Sequence, residues 1–213
     1  MLQFITHPSS RYSILEEVDM ALTGGCRWIQ LRLKDAADDE LRAVAVDVIE
    51  RCRQADAIVV VDDHVELVEP LGFDGVHLGN NDRPPAEARE MLGAGPFIGV
   101  TAHTADDILR YRGLDIDYFG IGPFKPTSTK ARPAEPLGLD GYRDIVATIR
   151  DAGVDTPVVA IGGITEADID PLMATGVNGI ALSGTIINAT SPVETTRAII
   201  STLNKYRKNN LDT

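Results

Sequence analysis

The feature that most constrains this chain is a rhythm. Short apolar runs rich in β-branched residues alternate with longer amphipathic stretches, and the unit repeats about every 20 to 30 residues along the whole sequence. Strands are expected at residues 3–6, 28–33, 57–62, 75–78, 97–100, 118–122, 157–161 and 179–183. Helices are expected over Ser13–Leu22, Asp38–Arg53, Pro85–Leu92, Ala105–Tyr111, Leu139–Ala152, Glu166–Ala174 and Pro192–Tyr206, with a short one near His64–Pro70. Several of them open with Asp, Ser or Thr ahead of the apolar stripe, as a helix N-cap requires.

The strand runs show little polar alternation, so both of their faces should be covered, which is the signature of a parallel sheet under helices. Eight such units in 213 residues, with no G-x-G-x-x-G after the first strand, favour a single closed (β/α)8 TIM barrel over an open doubly wound sheet. One domain over residues 1–213 is expected, with the polar tail 205–213 fraying. In this architecture function gathers where strands end, so the residues just past each run are the ones to inspect.

Charge and termini narrow the function classes. A formal net charge of −12 argues against nucleic acid, whose binders carry a basic face. Any anionic substrate must therefore meet locally concentrated cations or a metal. The opening residues lack a basic and apolar leader, and no apolar run reaches membrane-spanning length. Cys26 and Cys52 stand without metal-type spacing and suit a reducing compartment. The expectation is a cytoplasmic protein that binds small molecules and no membrane; homo-oligomerisation is left open.

The second strand ends in Gln30, Arg32 and Lys34 at period two, so these side chains should share one face. With helices outside, that face is the barrel mouth, where Arg and Lys suit a diphosphate. The third strand ends in Asp62-Asp63, and Asp82 comes after the fourth. Mg2+ commonly takes one or two carboxylates and completes its shell with water and substrate phosphate, which fits Asp63 and Asp82; helix capping is the plainer reading of the same residues. His77 lies inside a strand and reads as a packed histidine. The loop Gly122–Lys130 is dense in hydroxyls and cations. Gly162-Gly163 and Ser183-Gly184 end the last two strands, where backbone N–H groups can approach a phosphate.

Six segments carry a resemblance: GGCRWIQLRLKD, VVVDDHVEL, DGVHLGNND, GVTAHT, DYFGIGPFKPTSTK and VVAIGGI, in order between about Leu15 and about Arg197. Together they resemble the thiamine-phosphate synthase family. The resemblance implies a transferase that joins two phosphorylated substrates, a hydroxymethylpyrimidine diphosphate and a thiazole phosphate, releasing pyrophosphate through a carbocation-like step with Mg2+. It implies that Gln30, Arg32, Lys34, Asp62, Thr101 and Lys130 bind the pyrimidine diphosphate, with Arg32, Lys34 and Lys130 stabilising the departing charge. Asp63 and Asp82 would hold the metal. Thr127, Ser128, Thr129, Gly163, Ser183 and Gly184 would hold the thiazole phosphate.

Two positions depart from the family pattern. The family usually has Asn-Asp where this chain has Asp62-Asp63, and Val-Ser or Ile-Ser where it has Ser183-Gly184. An ionised Asp62 cannot donate to phosphate, so it should contact the metal, the pyrimidine amino group or a nearby cation. Two rival readings are a thiazole tautomerase of the same superfamily, which could recruit His103, and a non-catalytic phosphate-binding barrel. Neither needs Arg32, Lys34, Asp63, Asp82 and Lys130 together.

Overall fold

A computed structural model describes residues 1–34, 36–126 and 134–209. Eight parallel strands close on themselves in sequence order, β1 Leu2–Ile5, β2 Trp28–Leu31, β3 Ile58–Asp62, β4 Gly75–Leu78, β5 Phe97–Ala102, β6 Tyr118–Ile121, β7 Val158–Ile161 and β8 Gly179–Leu182. Around them lie α1 Ile14–Thr23, α2 Asp38–Gln54, α3 Val68–Leu71, α4 Pro85–Leu92, α5 Ala105–Leu109, α6 Gly138–Asp151, α7 Ile169–Met173, α8 Gly184–Ile187 and α9 Pro192–Asn209, with single 3-10 turns leading into α3 and α7. The expected (β/α)8 barrel is what forms.

Strand alternation sorts the core into two compartments. Phe4, Ile29, Leu31, Val59, Val61, Val76, Leu78, Ile98 and Val100 face outward into one large apolar cluster shared with the helices. Residues of the opposite parity fill the barrel, where Ile5, Tyr118, Val159 and Ala181 form a small separate cluster with Trp28 and Ile161 against it. This double burial is why each strand is apolar on both faces. The interior also carries a polar set, Gln3, Gln30, Asp62, His77 and Thr101, all buried. Apart from Gln3, these come from successive strands β2 to β5, so the polar layer is concentrated on one side of the barrel.

Local chemistry sets the helix starts. Ser13, Thr104 and Thr165 each cap the next turn, with Glu16, Asp107 and Asp168 reaching back to complete reciprocal capping boxes. At α2 the cap position is Ala37, which offers no side-chain bond; Asp38, Asp39 and Glu40 instead place negative charge on the first turn. Helix α9 continues to Asn209, so the segment from Lys205 to Asn209, expected to fray, is helical.

Strand β2 stops at Leu31, two residues short of the expected end, because a side chain replaces a neighbouring strand. The Thr6 hydroxyl accepts from the Arg32 N–H at 2.9 Å and donates to the Arg32 carbonyl at 3.1 Å. The chain is thereby held on course past the sheet, and Arg32 and Lys34 still project over the mouth. Among the described residues no helix is long and apolar enough to cross a membrane.

Candidate active site

The C-terminal ends of β2, β3 and β4 bring five charged groups together. Arg32 Nε lies 3.4 Å from Asp62 Oδ2, and Lys34 Nζ lies 3.7 Å from the same oxygen and 2.8 Å from Asp63 Oδ2. Asp62 is thus a contact of both cations, one of the three roles expected for it. Burial works against the Lys34 charge, but its hydrogen bond to Asp63 and the fields of Asp62, Asp63 and Asp82 outweigh this and raise its pKa.

Asp63 reaches this position through its backbone. Its φ of +69° lies in the left-handed region that few non-glycine residues adopt, although Asp tolerates it. The peptide is pinned there: the Asp63 N–H donates to the His77 carbonyl at 2.9 Å and Val65 N–H to the Asp63 carbonyl at 3.0 Å. One carboxylate oxygen meets Lys34, and the other, Oδ1, is buried with no hydrogen-bond partner among the described residues.

Asp82 folds back so that its Oδ2 accepts from the Gly79 N–H at 2.6 Å. Burial pushes its carboxyl pKa up, and the neighbouring Asp63 carboxylate pushes it further, against the Gly79 N–H and the Lys34 charge. The Asp63 and Asp82 carboxylates, the first with a buried orphan oxygen, offer an all-oxygen donor set to a hard divalent cation. No group of three or more acidic, His or Cys side chains suited to a metal occurs among the described residues.

Deeper in the barrel, His77 is a packed histidine, as its strand position suggested. Its ring bridges the Tyr118 hydroxyl at Nδ1 (3.0 Å) and the Thr101 hydroxyl at Nε2 (2.9 Å). Gln30 is 2% exposed, and its amide nitrogen lacks a hydrogen-bond partner among the described residues, which keeps a donor in reserve at the floor of the mouth.

The opposite side of the mouth is built from backbone. Gly163 has φ +67°, and a Cβ there would stand 2.9 Å from both Cβ and the carbonyl oxygen of Lys125, so the turn after β7 and the segment after β6 fit together only with glycine. Lys125, counted among the cations of the β6 loop, is committed elsewhere: its ammonium grips Asp168 at 2.7 and 2.8 Å. Ser183 precedes α8, a four-residue helix absent from the sequence expectation, and its buried hydroxyl oxygen has no hydrogen-bond partner among the described residues. Thr127, Ser128, Thr129 and Lys130 lie outside the described residues.

Sequence reasoning missed Tyr118 and Gln3 as members of the polar interior. The Gln3 amide donates to the Tyr118 hydroxyl at 3.1 Å. A polar residue in an otherwise apolar strand, Gln3 in Leu2–Ile5, was the available signal. His103, the candidate base of a tautomerase, has Nδ1 against the Gly122 carbonyl and its backbone N–H on Asp107.

Comparison with known proteins identifies the family. The family model described as thiamine monophosphate synthase matches residues 2–186. A thiamine-phosphate synthase of Bacteroides fragilis is 52% identical over 200 residues, covering 94% of this chain and 98% of that protein. The Bacteroides thetaiotaomicron thiamine-phosphate synthase is 50% identical, with 94% and 96% covered. The solved thiamine phosphate pyrophosphorylase of Pyrococcus furiosus superposes with a TM-score of 0.85 at 31% identity, covering 96% of each chain.

Proposed function

The chain belongs to the thiamine monophosphate synthase family, and we propose that it joins hydroxymethylpyrimidine diphosphate to a thiazole phosphate, giving thiamine phosphate and pyrophosphate. It is a transferase. The thiazole ring nitrogen supplies the electron pair of the new C–N bond. The C–O bond of the pyrimidine methylene breaks, and its electron pair leaves with pyrophosphate. Because the methylene carbon takes on carbocation character, no protein nucleophile is required; the protein's task is to hold two anions in register and stabilise the departing charge.

One observation carries this reading: Arg32 and Lys34 converge with Asp62, Asp63 and Asp82 on a single rim of the mouth. Arg32 and Lys34 face the diphosphate in the proposed complex, and Lys130 joins them. Counted when fully ionised, three carboxylates outweigh two cations, a net charge of −1. That excess of negative charge opposes a diphosphate, and a divalent cation would offset it. Asp63 and Asp82 are the residues that would hold Mg2+, which when bound neutralises phosphate charge. Gln30 and Thr101 line the pyrimidine half. Thr127, Ser128 and Thr129 with Gly163, Ser183 and Gly184 receive the thiazole phosphate. The reading places the enzyme in the cytoplasm, where its buried thiols Cys26 and Cys52 stay reduced.

The test is an incubation with both phosphorylated substrates, with and without Mg2+. Thiamine phosphate and equimolar pyrophosphate formed only with the metal support the reading. Thiazole isomerisation without pyrophosphate release would replace it with the tautomerase reading.

A further inference from the structure

A line of buried hydrogen bonds runs through the barrel from Gln3 on β1 to Thr101 on β5. The Gln3 amide nitrogen meets the Tyr118 hydroxyl at 3.1 Å, that hydroxyl meets His77 Nδ1 at 3.0 Å, and His77 Nε2 meets the Thr101 hydroxyl at 2.9 Å. Gln3 is 2% exposed, Tyr118 4%, and His77 and Thr101 8% each. The space for it is set aside in the sequence. A Cβ on Gly99 would lie 2.0 Å from Tyr118 Cζ, and one on Gly120 would lie 3.0 Å from His77 Cε1. Two glycines on neighbouring strands thus make room for the two rings, which lie stacked with centroids 5.5 Å apart.

Donor counting gives this line a direction. The Gln3 amide nitrogen can only donate, so the Tyr118 oxygen accepts from it and has one proton to give. The side-chain amide of Gln3 also opposes the burial that pushes the Tyr118 hydroxyl pKa upward, as a donor does. Given to His77 Nδ1 at 3.0 Å, that proton requires an unprotonated nitrogen there. The ring proton then sits on Nε2 and is donated to Thr101, whose own hydroxyl proton is released to point elsewhere.

We propose that His77 is a positioning residue: held as its Nε2–H tautomer by Tyr118, it turns the Thr101 hydroxyl into an obligate donor aimed at a hydrogen-bond acceptor on the pyrimidine substrate. This rests on the functional reading above, in which Thr101 lines the pyrimidine half of the mouth. With the opposite tautomer Thr101 would give its proton to the ring and could only accept. His77 thus decides whether this position recognises an acceptor or a donor on the substrate.

Nitrogen NMR of the 15N-histidine-labelled protein reads the tautomer directly. Protonation at Nε2 alone is expected; protonation at Nδ1, alone or with Nε2, overturns the proposal. Two variants test the consequence, since a Gln amide mimics the Nε2 donor and an Asn amide does not reach it. His77→Asn should raise KM for the pyrimidine diphosphate about tenfold, the scale of one lost hydrogen bond, with KM for the thiazole phosphate unchanged, and His77→Gln should recover most of the loss. In a Thr101→Val background His77→Asn should add nothing further. Equal losses for both substrates, or an undiminished effect in the Thr101→Val background, mark a role in folding only and overturn the proposal. The two readings fail separately: a wild-type protein that binds no pyrimidine diphosphate removes the functional reading and the substrate half of this one, whereas a wrong tautomer with substrate binding intact removes this one alone.

Discussion

Replacing Asp62 by Asn removes one charge from the middle of the cation cluster, and the geometry sets both the sign and the scale of the effect. Asp62 Oδ2 lies 3.4 Å from Arg32 Nε and 3.7 Å from Lys34 Nζ. At 3.4 Å a unit pair is worth about 1 kcal/mol at the dielectric of water and about 5 kcal/mol at an effective dielectric of about 20. Asp62 is 8% exposed and the Arg32 side chain 15%, but Lys34 is 43% exposed, so the lysine contact sits near the lower bound. Desolvation of Asp62 offsets part of the remainder. The net expectation for Asp62→Asn is a loss of about 1–2 kcal/mol of folding stability. The same substitution frees both cations from an internal competitor. Pyrophosphate, titrated calorimetrically without Mg2+, should bind about fivefold more tightly, the equivalent of about 1 kcal/mol. Urea unfolding and the titration are made on the same preparation. If pyrophosphate bound the variant no more tightly than the wild type, Asp62 would not be competing with the anion, and the reasoning would fail whatever the stability result.

Single contacts give three further expected outcomes. Glu17 is 1% exposed, accepts from the His7 N–H at 3.1 Å, and is pushed up to about 7 by burial; its folded pKa lies above the unfolded value, so its stabilising contribution is complete below about 4.5 and lost as pH rises through about 7. Urea midpoints should fall between pH 5 and pH 8 in the wild type, and Glu17→Gln should flatten that slope. Gly163→Ala forces a side chain into φ +67° and against Lys125, which should cost about 1–2 kcal/mol in thermal unfolding from the backbone alone and raise KM for the thiazole phosphate. Lys125→Ala breaks a half-exposed ion pair to Asp168, so it should shift stability by less than about 1 kcal/mol and leave that KM within about twofold; a large KM rise would show that Lys125 serves the phosphate site as well.

The barrel was legible because its strands are buried on both faces, which leaves an apolar run that nothing else in a chain of this length imitates. Strand ends were less so. Whether β2 continues past Leu31 depends on the Thr6 hydroxyl, a partner 26 residues away that periodicity cannot register. The four-residue α8 is shorter than any window that shows a helical period. In the site, Arg32, Lys34, Asp62, Asp63 and Asp82 stood out because charge is costly where strands end under helices, so its presence there is informative. Lys125 carried the same signal, yet its carboxylate partner lies 43 residues on and makes it structural. Tyr118 left no mark at all: in an apolar strand an aromatic residue reads as core, and only the imidazole at its hydroxyl reveals a polar function.

The charge arrangement explains how an acidic chain accommodates two anions. A mouth holding free Arg32 and Lys34 would attract any phosphate and bear the full cost of their desolvation. Here each cation already faces a carboxylate, Arg32 with Asp62 and Lys34 with Asp62 and Asp63, so the resting rim is preorganised and close to neutral. A monophosphate offers too little charge to displace that pairing, whereas a diphosphate can engage both cations at once. On the other side Gly163, Ser183 and Gly184 bring backbone groups and a hydroxyl rather than side-chain charge, the kind of pocket that suits a single phosphate held by geometry. In the proposed complex, discrimination between the two substrates rests on the type of donor each half presents: paired charges for the leaving diphosphate, neutral N–H groups for the phosphate that stays attached.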